Sequence, residues 1–251
     1  MFLKFRFRMQ RHSMTNSSTS GGRVHFLHVR KTGGTAIIEA LRPLASTYKI
    51  VIHDHSTRLR DIPRDEKSVF FVRHPVTRFV SGFYSRLRRG LPRHHYEWTD
   101  AEAQAFRHFT NPNDLAEAIT SEISGMATRA HEAMHGISHI KHTYKDWFLG
   151  PEEIRGRLDS ILLLGVQEEL NTDFERLKLL LQLPSGLSLP TDDIRTHRTP
   201  LEYDRALSPL AVHNLSRWFA DDIRLYQYCL QVRAEQIQSE KLSLHKLSVA
   251  N

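Results

Sequence analysis

The chain contains a single cysteine, Cys229, among 251 residues. One thiol cannot close an internal disulfide, and it removes every zinc pattern built from several cysteines. Long apolar runs are missing as well. The longest, Ile161 to Val166, is strand-sized and far short of the ~18 residues a membrane span needs. Acidic residues are absent from positions 1–31, where seven basic groups stand (Lys4, Arg6, Arg8, Arg11, Arg23, Arg30 and Lys31). The chain totals 35 basic and 28 acidic residues, so positions 32–251 balance at 28 against 28. The net charge of +7 therefore belongs to the first 31 residues and is no surface-wide nucleic-acid signal.

What remains, 40% hydrophobic and without internal repeats, suits one α/β-sized domain. The segmentation reads as a basic, disordered segment over 1–22, a domain over 23–235 and a tail over 236–251. Phe2 to Met9 mixes aromatic and basic residues without the continuous apolar core of a secretory signal. The acid-poor, Arg- and Ser-bearing start also fits an organellar transit peptide; the reading taken is a start without an address, in a cytoplasmic protein.

Val24 to Val29 reads as a strand, followed by the Gly-containing turn Arg30-Lys31-Thr32-Gly33-Gly34-Thr35 and a helix capped by Thr35. Further strands are expected at Lys49–Ile52, Ser68–Val72 and Ser160–Val166, with helices from Pro75 to about Arg89 and from Thr172 to Gln182. One last long helix is expected from Ser208-Pro209 through Tyr226. Strands alternating with helices predict an α/β fold, a central parallel sheet covered by helices on both faces.

A strand–turn–helix with Lys and two glycines in the turn can hold phosphate, because backbone N–H groups and the helix N-terminus point at the anion. The order here, with Lys31 ahead of Gly33-Gly34, is not the G-x-x-x-x-G-K-[ST] of nucleotide triphosphatases, and an ordinary βα turn is the plain alternative. Arg73 stands at a strand end and Ser81 about two helical turns on, so a guanidinium and a hydroxyl can converge on a phosphate monoester. No acid occurs between Ser68 and Tyr96, and Arg78, Arg86, Arg88, Arg89 and Arg93 read as a solvated face.

Together these residues resemble the sulfotransferases that use 3′-phosphoadenosine 5′-phosphosulfate (PAPS). Val29 to Thr35 is similar to their P-loop-like 5′-phosphosulfate turn, and Val72 to Ser81 to their 3′-phosphate motif, with His74 where the family usually has Asp. Gly165 to Leu170 and Asp222 to Tyr226 match two further landmarks. The resemblance implies that Lys31, Thr32, Gly33, Gly34, Thr35 and Ala36 bind the 5′-phosphosulfate and that Arg73 and Ser81 bind the 3′-phosphate. Arg195 and Arg198 would close a polar loop over the nucleotide. His53-Asp54-His55 resembles the His-x-His of membrane-type uronosyl 2-O-sulfotransferases, here in a soluble, bacterial-type form. The implied roles are His55 as general base, His53 as its assistant and Lys31 as stabiliser of the leaving phosphate.

His131, His135, His139 and His142 are spaced to line one helix face, and His131 to His135 matches H-E-x-x-H. Gly136 interrupts that helix, so no metal is assigned; the resemblance implies that His139 is an acceptor contact, because the stretch falls where relatives place such contacts. The implied acceptor is a hydroxylated, possibly anionic saccharide, with neither nucleic acid nor a membrane span involved. Two other classes stay open: a nucleotide-dependent kinase, which lacks its Walker loop here, and a polyanion binder using Arg73 to Arg93.

Overall fold

The computed structural model describes residues 22–192, 200 and 202–249. Residues 1–21 and 193–199, the latter with Arg195 and Arg198, lie outside the described residues. Four parallel strands, β1 (Val24–Leu27), β2 (Ile50–Ile52), β3 (Lys67–Val72) and β4 (Ile161–Val166), form one sheet in the order β2-β1-β3-β4. β3 lies between β1 and β4, apolar after Ser68, and alternates between two cores as a strand buried on both faces must. Val69 and Phe71 pack with Ile37 and Ile38 of α1 (Gly34–Leu41) and with Phe174 and Leu177 of α8 (Leu170–Leu181). Phe70 and Val72 face the other way, toward Tyr144, Trp147 and Phe148 and toward Leu225 and Cys229 of the last helix. The expected α/β architecture, a parallel sheet flanked by helices, is the one observed.

α2 (Pro75–Leu87) starts with proline at its first helical position, where a missing N–H leaves nothing unpaired. Its Phe79, Val80, Phe83 and Tyr84 anchor a third, all-helical core made with α3 (Asp100–His108), α4 (Pro112–Ala118), α5 (Met126–Gly136) and α6 (Ser138–Lys141). α7 (Pro151–Arg155) precedes β4. Asn111 caps α4 by accepting from the Asp114 N–H at 2.9 Å.

Several boundaries differ from the sequence reading. β1 ends at Leu27 because the chain turns at once, with Val29 N–H reaching the Leu27 carbonyl at 3.2 Å. α1 is capped by Gly33 in the left-handed region (φ 86°), not by Thr35, which lies inside the helix. The single last helix is two, α9 (Pro209–Trp218) and α10 (Ala220–Val249), broken where Phe219 turns its ring into the helical core against Phe79. The expected boundary at 235/236 falls inside α10, whose Gln236 accepts from the Leu164 N–H of β4 at 3.1 Å. Among the described residues no helix is long and apolar enough to cross a membrane.

Candidate active site

In a sheet ordered β2-β1-β3-β4, the chain leaves β1 toward one side and β3 lies on the other, so a crevice opens beyond the carboxyl ends of β1 and β3. A cavity of about 1330 Å³ occupies that place. Lys31, Gly33, Gly34, Thr35 and Ala36 line it from the β1–α1 turn, and Arg73 and Ser81 from the β3–α2 segment. Lys31 itself adopts a left-handed backbone (φ 63°), a conformation that costs a side-chain-bearing residue about 1–2 kcal/mol and is characteristic of ligand-gripping turns. Burial, with the Arg88 and Arg73 guanidinium groups nearby, lowers the Lys31 ammonium to a pKa of about 7. Thr32 is the exception in the turn. Its hydroxyl donates to the Val29 carbonyl at 3.0 Å and it is absent from the cavity wall, so it holds the turn's shape.

Arg73 is fixed from both sides. The Tyr144 hydroxyl accepts from its backbone N–H at 2.7 Å and donates to its carbonyl at 2.5 Å, while its Nε donates to Thr77 Oγ1 at 3.0 Å. Tyr144 is held in turn by Asp222, whose carboxylate accepts the Tyr144 N–H at 3.0 Å and the Arg78 guanidinium at 3.1 Å. His74 does what an aspartate would do at a helix start: its Nδ1 accepts the Val76 N–H at 3.3 Å. The His74 N–H reaches Glu168 Oε1 at 2.8 Å, which ties the end of β4 to this motif. Arg205 also lines the cavity, and its charge acts on Arg73.

The arginines after Arg73 are not a solvated face. Arg78 is 2% exposed and paired with Asp222, and Arg86 is 6% exposed and donates from Nε and Nη2 to Glu102 at 2.7 Å each. Arg89 pairs with Glu97 at 3.0 Å and lies over the Trp98 ring, and Arg93 pairs with Glu39. Their partners come from outside the acid-free stretch.

Two histidine pairs rivet the segment after β2 onto β1. His55 Nδ1 lies 2.8 Å from the His28 carbonyl oxygen. A carbonyl only accepts, so Nδ1 carries the proton and Nε2 keeps its lone pair. The ring lines the cavity and packs on the His28 ring at 3.9 Å between centroids. Burial lowers the His55 pKa, against the opposing pull of the His28 carbonyl. His53 is placed elsewhere. It is absent from the cavity wall; its Nε2 lies 2.8 Å from His25 Nδ1, and His25 Nε2 bonds to Glu66. Its expected role as direct assistant to His55 has no geometric basis, because this chain of groups runs along the strand bases and not into the cleft.

The four-histidine row is also divided, because α5 stops at Gly136 and Ile137 is extended before α6 begins. His131 and His135 pack on Trp218, His142 bonds to Asp146 at 2.6 Å, and His139 alone lines the cavity. Among the described residues no group of three or more His, Cys, Asp or Glu is placed to hold a metal ion. Burial holds the His139 pKa well below its usual value, and its Nδ1 is buried without a hydrogen-bond partner among the described residues.

A model of the sulfotransferase family matches residues 19–229, a span that includes both phosphate-type motifs, His55 and the Asp222 network. The chain belongs to the sulfotransferase family. No curated protein matches it. Sulfuryl transfer is thus the reaction class, and the cleft of this sulfotransferase contains three groups the motif reading passed over: His28, Glu168 and Arg205. His28 carried a signal, since it is the last apolar-run residue but one before the Lys31 turn. Glu168 lies in the Gly165–Leu170 landmark but had no role assigned there, and Arg205 carried no signal, because only the fold brings them beside Arg73.

Proposed function

We propose that the protein transfers a sulfuryl group from PAPS to a hydroxyl of a saccharide or related acceptor, in the cytoplasm. The observation that carries this reading is one cleft holding Lys31 in a left-handed turn, Arg73 and Ser81 at the adjacent strand end, and an imidazole with a free Nε2. Lys31 and the turn residues Gly33 to Ala36 take the 5′-phosphosulfate, and Arg73 with Ser81 takes the 3′-phosphate. A new bond forms between sulfur and the acceptor oxygen as the bond from sulfur to the bridging phosphate oxygen breaks. The electron pair of the broken bond stays on that oxygen, where Lys31 meets the charge. The acceptor proton passes to His55 Nε2, since only a neutral imidazole can take it. The products are 3′,5′-adenosine diphosphate and a sulfate ester.

What supports a saccharide is the remainder of the wall, where Arg42, Arg93, His94, Tyr96 and Thr99 offer hydrogen-bonding groups and an aromatic face. His139 is an acceptor contact in this reading. Calorimetric titration tests the donor: 3′,5′-adenosine diphosphate binds, and ATP–Mg²⁺ binds far more weakly. Preference for ATP–Mg²⁺ would make the protein a kinase. Salt-steep DNA binding without nucleotide selectivity would make it a polyanion binder.

A further inference from the structure

We propose that His28 is a catalytic residue of the transfer, its imidazole N–H contacting the equatorial oxygens of the sulfuryl group as that group passes between the Gly34 turn and His55. The inference rests on the donor and base assignments above.

His28 is the first residue beyond β1, so the strand end places it in the crevice without help from a flexible loop. Its ring lies between Gly34 and the His55 ring. A Cβ on Gly34 would overlap the ring at Cδ2 and stand 2.8 Å from Nε2, so the glycine at the start of α1 leaves this imidazole room. The opposite contact is the His55 ring, 3.9 Å away between centroids. One side chain therefore spans the distance from the donor turn to the base.

Neither ring nitrogen of His28 has a hydrogen-bond partner among the described residues, although the residue is half-buried. Its ring nitrogens are not enclosed by the protein, so the imidazole N–H is open to a ligand oxygen in the cavity. Burial, together with His55, Arg30 and Lys31, pushes the His28 pKa down to about 3. The ring is thus neutral wherever the enzyme works and presents one N–H and one lone pair. A base that weak does not keep the acceptor proton, which leaves His55 as the acceptor.

During transfer the sulfur–acceptor bond forms while the sulfur–bridging-oxygen bond breaks, and charge is shared over the three equatorial oxygens. A neutral donor fixed at a strand end stabilises that charge without reorganising. His28 ends the step with the proton it began with: the acceptor proton is on His55 and the electron pair on the phosphate oxygen.

The test compares PAPS with 3′,5′-adenosine diphosphate, which differ by the sulfuryl group, so no acceptor is needed. For His28→Leu, titration calorimetry should show PAPS affinity falling roughly 3- to 10-fold relative to that of 3′,5′-adenosine diphosphate. Release of inorganic sulfate from PAPS, with water as acceptor, should fall by ~10². His28→Asn, which keeps an N–H in similar volume, should restore the affinity ratio. An unchanged ratio and an unchanged sulfate-release rate in His28→Leu would overturn the role of His28 alone. Failure of the unmodified protein to bind 3′,5′-adenosine diphosphate would instead overturn the donor reading. Should the variants not fold, imidazole ¹⁵N spectra of the unmodified protein decide: PAPS should shift the His28 N–H signal and 3′,5′-adenosine diphosphate should not, and equal shifts from both would overturn the proposal.

Discussion

Arg73 Nη1 lies 3.5 Å from the carbonyl oxygen of Lys31, so the turn after β1 and the strand end of β3 meet across the crevice. The two halves of the donor site are thereby coupled through one guanidinium. Arg73→Ala should weaken 3′,5′-adenosine diphosphate by about 1.5–3 kcal/mol, roughly 10- to 100-fold, and adenosine 5′-phosphosulfate much less. Ser81→Ala should follow the same pattern more weakly. Equal losses for both nucleotides, measured by calorimetry, would mean that these residues shape the fold and not a phosphate pocket.

Lys31 makes donor binding pH-dependent. With its ammonium lowered to about 7 in the free protein, the cation is lost as pH rises through 7, and a bound phosphate favours its return. Affinity for 3′,5′-adenosine diphosphate should therefore fall between pH 7 and 9, with proton uptake on binding at pH 8. Lys31→Ala should flatten that dependence and lower transfer by ~10²–10³. Stability moves the opposite way. Between about 7 and the ordinary lysine value of 10.5 the unfolded chain holds the proton that the folded chain has lost, so this group makes the fold more stable as pH rises. Isothermal titration in two buffers of different ionisation enthalpy checks the uptake; an uptake unaltered by Lys31→Ala would assign it to another group.

Much of this site was legible because strand ends and glycine turns are local signals. Lys31, Gly33, Gly34, Arg73 and Ser81 all line the cleft where the strand–turn–helix pattern put them. The readings that failed depend on distant partners. Arg78 and Arg86 looked solvated because their acids, Asp222 and Glu102, stand 144 and 16 residues away in sequence. His53 and His55 look equivalent in a short motif, because i, i+2 spacing in a continued strand puts both on one face; β2 ends at Ile52 and the chain turns at residues 55–56, so one meets His25 and the other the cleft. The break at Phe219 was hidden because an apolar residue continues a helical pattern whether or not its ring has to turn inward.

Asp222 should matter more for stability than for chemistry. It and Arg78 are each 3% exposed in their side chains, and the carboxylate also accepts the Tyr144 N–H. Asp222→Ala leaves the Arg78 charge buried without its counter-ion, a change that typically costs about 3–5 kcal/mol. The denaturant midpoint should drop with an unchanged slope, and Asp222→Asn should lose less because its amide oxygen still accepts. A loss under about 1 kcal/mol for Asp222→Ala would remove the network from the account of how Arg73 is held.

His55 carries the sharpest prediction about the chemical step. Its Nδ1 proton is committed to the His28 carbonyl, so Nε2 is the atom that accepts, and His55→Ala should lower single-turnover transfer by ~10²–10⁴ while leaving 3′,5′-adenosine diphosphate binding intact. Because burial lowers its pKa from 6.5, the imidazole stays neutral at pH values where an exposed histidine is already half charged. The rate should therefore hold down to pH 6.5 and decline only as pH falls through the lowered value. His53→Ala should be much milder, since that ring lies outside the cleft and touches His25 and Thr57. A pH profile with its acid limb at or above 6.5, or a His53→Ala loss as large as that of His55→Ala, would move the proton acceptor away from His55.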